Sequence, residues 1–505
     1  MKIFKFLFNR FSLVALTIVL TTAAVILFAI YFSSVFKWLN AVITVLSIIV
    51  YFSMLRKKQL PEFKITWLFL LVIAPILGII LYLFFSTNKP PKKKMKKIRF
   101  VQKTYSELNG NLNGIAKKED FLGYEGTDNY LKTATNTNAY RGKAEYLSPG
   151  ERFIERLKSD LKTAEKFIFL EYFIIEYGKV WDDIHAILSE KIKENVDVRI
   201  IYDDIGCASK VKINFAKKLN AEGIKCVKFN PFIPVISGLH NNRDHRKIAV
   251  IDGKVAYTGG CNLADEYANI NSKLGHWKDS AIRITGNAVN NLTAFFMENF
   301  SAYSEKPEDV TPFIVENDET DADALIHTFA DGPEPYFHEL VGENNFLNMI
   351  NSAKEKLYIT TPYLIVDHTL SNALMLAAKR GVDVKIITPH VPDKKIIFEM
   401  TRVSYRDLLK SGVKIFEYTP GFMHAKHVLV DDKMAFFGTI NFDYRSLVHH
   451  FECGAVVFGG SAVLDLSKDF EQTLSVSEEQ TLTTRKENII KRGINLFLMT
   501  FRPLF

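Results

Sequence analysis

Apolar residues follow two different rhythms along this chain. Over the first 85 residues they form three runs without internal charge: Phe11 to Phe36, Trp38 to Leu55 and Trp67 to Phe85. A helix needs about 20 apolar residues to cross a bilayer, so these runs predict three membrane spans. Pro75 and Gly78 interrupt the third, where a kinked span and a re-entrant segment both fit. A signal peptide fits poorly, because its apolar stretch is shorter and ends in a small-residue cleavage site.

Beyond residue 145 the rhythm changes to short elements, and the same series runs twice. In the first series Phe153, Ile154, Leu157, Leu161 and Ala164 recur at helical spacing, followed by a buried strand over 167–174. A second helix, the strand Val196 to Tyr202 and the stretch Gly223 to Phe229 complete it. The second series has a helix around Phe346 to Ala353, a strand Leu357 to Pro362, then Val382 to Ile387 and Gly412 to Tyr418. Helices alternating with short apolar strands predict α/β layers around a largely buried sheet. The repeat predicts two halves related by a pseudo-two-fold axis.

The expected division is a transmembrane anchor at 1–87, a polybasic polar linker at 88–145 and a first half at 146–304. An acidic connector at 305–330, a second half at 331–480 and an amphipathic segment at 481–505 follow. In the last segment Ile489, Ile490, Ile494, Leu496, Phe497, Leu498 and Phe501 accompany Lys486, Lys491, Arg492 and Arg502. A membrane-surface helix and a helix docked on the protein are equally compatible with it.

Charge is distributed unevenly. Residues 1–100 hold 15 Lys/Arg against Glu62 alone, a balance of +14, so the other 405 residues carry +8 − 14 = −6. A mildly acidic body disfavours a nucleic-acid enzyme, which concentrates cations on its body to neutralise phosphates. The positive-inside rule does not set orientation here, since three spans leave similar cation numbers on both sides. The densest cluster, Lys89 to Arg99, would be attracted to the anionic cytoplasmic leaflet, so a cytoplasmic body is expected. Cys207, Cys226, Cys261 and Cys453 lack metal-ligand spacing and read as free thiols.

One motif occurs in both series. His245-Arg246-Lys247, Asp252, Gly259 and Asn262 recur as His424-Ala425-Lys426, Asp431, Gly438 and Asn441, each displaced by 179 positions (424 − 245, 441 − 262). The distance from the preceding glycine to the histidine is 22 in the first copy (245 − 223) and 12 in the second (424 − 412). One half therefore carries a loop about ten residues longer beside the motif. In a strand, His and Lys two apart share a face. Neutral imidazole can attack phosphorus, while lysine neutralises charge building up on its oxygens. With two copies, one histidine attacks; the other protonates the leaving oxygen, then deprotonates the acceptor. The catalytic set is His245, Lys247 and Asp252 with His424, Lys426 and Asp431. Its two aspartates are expected to stabilise the site by hydrogen bonding rather than to react. Asn262 and Asn441 are candidate donors to phosphoryl oxygens, with Gly259 and Gly438 in support. No carboxylate cluster suggests a divalent metal, so neither metal nor cofactor is expected.

The motif pair resembles the phospholipase D superfamily, and the wider sequence resembles its bacterial cardiolipin synthases. The supporting stretches include 169–174, 202–206, 243–247, 259–267, 277–279, 361–363, 420–426 and 438–446, with the segment Trp67 to Phe85. Two positions depart from the pattern: Cys207 stands where serine is usual, and His450 where asparagine is usual. The resemblance implies phosphatidyl transfer between two phosphatidylglycerol molecules, giving cardiolipin and glycerol. His245 would hold a phosphatidyl–histidine intermediate and His424 would serve as acid, then base. It also implies that Asp279 and Glu452 orient the histidines, and that the enzyme is a multi-pass protein of the cell membrane. Membrane phospholipid is then the partner, as donor and acceptor, with no role for nucleic acid; oligomeric state stays open. The competing readings are a phospholipase D hydrolase, a superfamily nuclease and a non-catalytic membrane scaffold. Intact His, Lys, Asp and Asn in both copies argue against the scaffold.

Overall fold

The computed structural model describes residues 10–33, 37–85, 90–233, 238–317, 320–482, 493, 495 and 497–504. The chain divides into two compact units. The first comprises Met1–Lys89, Phe232–Asn241 and Arg492–Phe505; the second comprises Pro90–Pro231 and Asn242–Lys491. The first unit thus takes in ten residues of the segment that precedes the first motif.

In the first unit, helices run Arg10–Ser33, Lys37–Arg56, Pro61–Ile73 and Pro75–Phe85. Among the described residues no helix is long and apolar enough to cross a membrane. The expectation of three spans is therefore not met. In the third run Pro75 has no N–H to continue the ladder, and the chain breaks at Ala74. Its two pieces are about 20 and 17 Å long at 1.5 Å per residue, against about 30 Å of hydrocarbon. The second run carries Asn40, Ser47 and Ser53, and the end of the first lies outside the described residues. At the C-terminus Phe497 and Phe501 pack edge-on against Phe69, and the Thr66 hydroxyl donates to the Thr500 carbonyl at 2.7 Å. Of the two readings of that segment, its described part follows the docked one.

The second unit is built on one sheet of 15 strands. Its first-half strands are β1 (Tyr140–Leu147), β2 (Phe167–Tyr172), β3 (Asp197–Asp203), β4 (Lys225–Phe229), β5 (Lys247–Ile251), β6 (Val255–Gly259) and β8 (Ala281–Gly286). A short strand, β7 (His276–Lys278), lies outside the main sheet. The second half supplies β9 (Ala324–Asp331), β10 (Lys356–Thr360), β12 (Asp383–Pro389), β13 (Lys414–Tyr418), β15 (His427–Val430), β16 (Met434–Gly438), β18 (Glu452–Phe458) and β19 (Ser477–Gln480). Three more short strands are β11 (Leu364–Ile365), β14 (Gly421–Met423) and β17 (Phe442–Asp443).

Strand order is β19-β13-β12-β10-β15-β16-β18-β9-β1-β8-β6-β5-β2-β3-β4. Outward from the β9–β1 seam each half repeats one sequence of strands, which confirms the duplicated α/β organisation. The seam is antiparallel, with Tyr140 opposite Ile326 and Gly142 opposite Ala324. Strands such as β2 and β18 are buried along their whole length, as their apolar runs require.

Two segments read as linkers are structural. Within the polybasic stretch, a helix Lys92–Asn109 buries Val101 and Tyr105, and β1 occupies the sheet centre. Lys97 donates to the Ser304 carbonyl, and Lys94 lies 3.8 Å from the Tyr303 ring centroid. Both lysines pack on the helix Val289–Tyr303 instead of standing in solvent. The acidic connector likewise ends in β9, whose eight residues are all buried. These elements lie within stretches that are polar overall, although each reaches the core.

Candidate active site

Each histidine precedes a strand and does not lie within it. β5 begins at Lys247 and β15 just after Lys426. Backbone from the opposite half fixes the approach. The His245 amide donates to the Phe451 carbonyl at 2.9 Å, and the Phe451 amide to the Arg243 carbonyl at 2.8 Å. The His424 amide donates to the Lys278 carbonyl at 2.8 Å, where β14 runs parallel to β7. The lysines fold back toward their own histidines. Lys247 Nζ donates to the His245 carbonyl at 2.6 Å. Lys426 Nζ donates to the His424 carbonyl and lies 2.9 Å from His424 Nδ1.

The orienting carboxylates are exchanged between halves. Glu452, of the second half, meets His245 Nδ1 at 2.9 and 3.0 Å through its two oxygens. Asp279, of the first half, meets His424 Nδ1 at 2.6 Å. An ionised carboxylate only accepts, so each Nδ1 carries the proton and each Nε2 keeps its lone pair. Both carboxylates are fully buried. The Ser280 amide donates to Asp279 at 2.8 Å, and the Thr439 hydroxyl donates to Glu452.

Burial and crowding of cations set the protonation states. Burial drives His245 well below the ordinary histidine range, helped by Lys247, Lys426 and His424. His424 falls to about 4 through burial and Lys426, against the pull of Asp279. Lys247 falls to about 8 and Lys426 to about 7, both mainly through burial, with Glu452 and Asp279 opposing. Burial would raise Asp279, yet His424 and Lys426 outweigh it and hold the carboxylate low. In the free protein near pH 7 both imidazoles are therefore neutral beside two lysines poised to gain or lose a proton. A negatively charged phosphodiester would favour the protonated form of every one of these groups.

The two aspartates of the motif serve elsewhere. Asp252 accepts from the Glu165, Lys166 and Phe167 amides at 2.7–2.8 Å. Asp431 accepts from the Lys354, Glu355 and Lys356 amides at 2.7–2.9 Å, and from the Tyr124 hydroxyl at 2.7 Å. Each pins the start of a neighbouring strand, from the far end of the strand that starts at or just after its lysine. Both carboxylates are thus engaged in hydrogen bonds to backbone N–H groups.

Asn262 is committed to the fold: its Oδ1 accepts from the Ile174 amide at 3.0 Å and its Nδ2 donates to the Tyr267 hydroxyl at 2.7 Å. Tyr267 in turn packs against His424, with ring centroids 5.5 Å apart. Asn441 differs, because its buried Oδ1 has no hydrogen-bond partner among the described residues. The glycines allow close strand approach, since a Cβ at Gly259 would lie 2.5 Å from the Ser280 carbonyl oxygen. At Gly438 it would lie 2.7 Å from that of Cys453.

Sequence reasoning passed over several residues. A Cβ at Gly260 would sit 2.0 Å from Asp279 Oδ1, so this position keeps space for the carboxylate. Asp203 holds the entry to the first motif, accepting from Arg243 Nε at 2.9 Å and from the Asp244 amide at 3.0 Å. Phe173, Trp277 and Phe422 wall the histidines, with centroids 5.2 Å (Phe173–His245), 5.2 Å (Trp277–His424) and 5.8 Å (Phe422–His424) apart. Cys207 accepts from the Ile175 amide at 3.1 Å and donates to the Phe173 carbonyl at 3.4 Å, a pair of bonds a serine would also make. All four cysteines are buried free thiols. Donor atoms of His245, His450 and Glu452 are also spaced so that they could hold a metal ion.

Comparison with known proteins agrees with this geometry. The family described as "Cardiolipin synthase, PLD-like domain" matches residues 157–296 and 346–474, one stretch per half. A second, "Phospholipase_D-nuclease N-terminal", matches residues 45–86. A Streptococcus mutans protein of unassigned function is 40% identical over 446 residues, 87% of this chain and 96% of its own length. A cardiolipin synthase of Halalkalibacterium halodurans is 31% identical over 94% of this chain and 95% of its own. Cardiolipin synthase 1 of Staphylococcus aureus is 32% identical over 87% and 90%. In fold, the chain is similar to phosphatidylserine synthase of Haemophilus influenzae, with a TM-score of 0.55 at 14% identity, over 75% of this chain and 97% of that one. Two matched halves, each contributing a His–Lys pair and the carboxylate that holds the other's histidine, place this chain in the cardiolipin synthase family of phospholipase D-like proteins.

Proposed function

We propose that this chain is a cardiolipin synthase, a transferase of substituted phosphate groups that joins two phosphatidylglycerol molecules and releases glycerol. The observation that carries the reading is the pair of buried histidines, each with Nδ1 on a carboxylate and two lysines beside them. Nε2 of His245 attacks the donor phosphorus, and the phosphorus–oxygen bond to glycerol breaks. His424 gives that oxygen its proton as glycerol leaves. It can do so because the lipid phosphate raises its proton affinity from the low value of the free site. Neutral again, His424 takes a proton from the acceptor's glycerol hydroxyl. That oxygen displaces His245 from phosphorus, forming cardiolipin. Lys247 and Lys426 balance charge on the phosphoryl oxygens throughout.

Lipid substrates suit the first unit, where Val19, Leu27, Ile30, Val72, Ile73 and Leu83 are each more than 60% exposed. Such a collection of exposed apolar side chains fits contact with lipid. The cations between Lys89 and Arg99 that are not packed would favour an anionic, cytoplasmic leaflet.

The test uses purified full-length protein in mixed micelles with phosphatidylglycerol as the sole lipid substrate. Cardiolipin and glycerol in equal amounts are expected. Phosphatidic acid as the main product, with cardiolipin at trace level, would replace the synthase by a hydrolase.

A further inference from the structure

We propose that His245, His450 and Glu452 form a binding site for a zinc-class divalent cation, and that filling it switches the enzyme off. One donor atom from each of the three lies within 4.8 Å of the other two. His245 Nδ1 is 2.9 Å from Glu452 Oε1, and His450 Nδ1 is 3.7 Å from that same oxygen. Ligands held tetrahedrally at about 2.1 Å from zinc stand about 3.4 Å apart, so these separations bracket the requirement. The His450 ring packs beside His245, with centroids 5.4 Å apart. Among the described residues its buried Nδ1 has no hydrogen-bond partner, and it faces the carboxylate.

The donor set is two imidazoles and one carboxylate, which suits zinc and its late transition neighbours better than magnesium. The second imidazole comes from His450; an asparagine there would be a far poorer ligand. Three protein ligands leave a fourth position for water or a phosphate oxygen.

Inhibition follows from the tautomer. In the working site the proton sits on His245 Nδ1, and Nε2 holds the lone pair that attacks phosphorus. A metal taking Nδ1 needs the lone pair there, so the ring's single proton must reside on Nε2. The imidazole stays neutral and no proton is released from it, yet Nε2 no longer has electrons to give. Glu452 is at the same time drawn from orienting the ring to holding the metal.

The test titrates metal-free, full-length protein with ZnSO4 by calorimetry and measures turnover in parallel. One saturable site is expected, with turnover falling as it fills and returning when the metal is chelated. His450→Asn should keep metal-free turnover while binding and inhibition weaken roughly tenfold or more. His450→Gln, titrated in the same way, serves if the asparagine variant does not fold. Equal zinc binding by wild type and variants, no saturable site, or equal inhibition by MgSO4 would each overturn the proposal. Switching depends on His245 being the reacting group, whereas the calorimetry does not. Binding that His450→Asn weakens, with turnover indifferent to zinc, would overturn the switch and bring the His245 assignment down with it. A protein that binds zinc as expected yet makes phosphatidic acid would leave this site standing and remove only the synthase reading.

Discussion

Glu452 and His245 are 207 residues apart in sequence, and both carboxylate oxygens of the glutamate lie within 3.0 Å of the histidine's Nδ1. Asp279 and His424 reciprocate at 2.6 Å across 145 residues, so neither half holds its own histidine. Glu452→Gln keeps the shape but can turn an amide N–H toward Nδ1 and favour the wrong tautomer. Turnover should fall roughly 10²–10⁴-fold with the fold intact, as when a comparable carboxylate is neutralised in a histidine triad. Circular dichroism with single-turnover kinetics would check this, and a change under roughly threefold would show that the carboxylate does not set the tautomer.

The two histidines should be separable. With a donor lipid whose leaving group needs no protonation, His424→Ala should still accumulate phosphatidyl–protein, and His245→Ala should not. Acid-quenched mass spectrometry would locate the adduct. An adduct on His424 in the wild type would reverse the roles.

The lysines predict a pH dependence. Lys426 at about 7 and Lys247 at about 8 lose their ammonium charge as pH rises through those values. Phosphate recognition should weaken accordingly, so kcat/KM should fall above about pH 7–8. A bound phosphate stabilises the ammonium form, so the fall in kcat should lie at higher pH. Coincident limbs, or a kcat/KM that rises over this window, would contradict the assignment.

Asp252 and Asp431 should matter to stability and not to chemistry. Each accepts three backbone N–H groups. Replacing either by alanine should cost about 2–4 kcal/mol, given that several donors lose a charged partner together. Denaturant unfolding should show the loss, while kcat per folded molecule stays within roughly threefold. A large fall in kcat without loss of stability would return these residues to the reacting set.

Chelation offers a further check. Lys247 and Lys426 lie beside the two histidines, and on the proposed mechanism they balance the phosphoryl charge, so excess EDTA should leave turnover undiminished. Loss of activity that a divalent ion restores would overturn the mechanism.

Much of the site was legible because its signals are local. The 179-residue displacement marked His245, Lys247, His424 and Lys426 as a duplicated set, and strand patterning located β2, β3, β10 and β12 within two residues. β1, β9 and the helix Lys92–Asn109 lie in stretches of polar overall composition, where Ile98, Val101 and Tyr105 at helical spacing and the alternating burial of β1 are short signals among charged neighbours. Length alone makes the apolar runs look like spans, and the break at Ala74 before Pro75 divides the third into pieces too short for that role.

By itself the sequence determined which side chains are the candidates for the chemistry and that they come in two copies. Residue identity and repeat spacing are properties of the chain alone. Only the tertiary structure decided which carboxylate serves which histidine. That pairing forms where β14 lies beside β7 and Asp244 bridges to Phe451, contacts between segments more than 140 residues apart. Local periodicity fixes an element and the faces it presents. The partner across the seam depends on how the two halves join, and no short-range pattern encodes that.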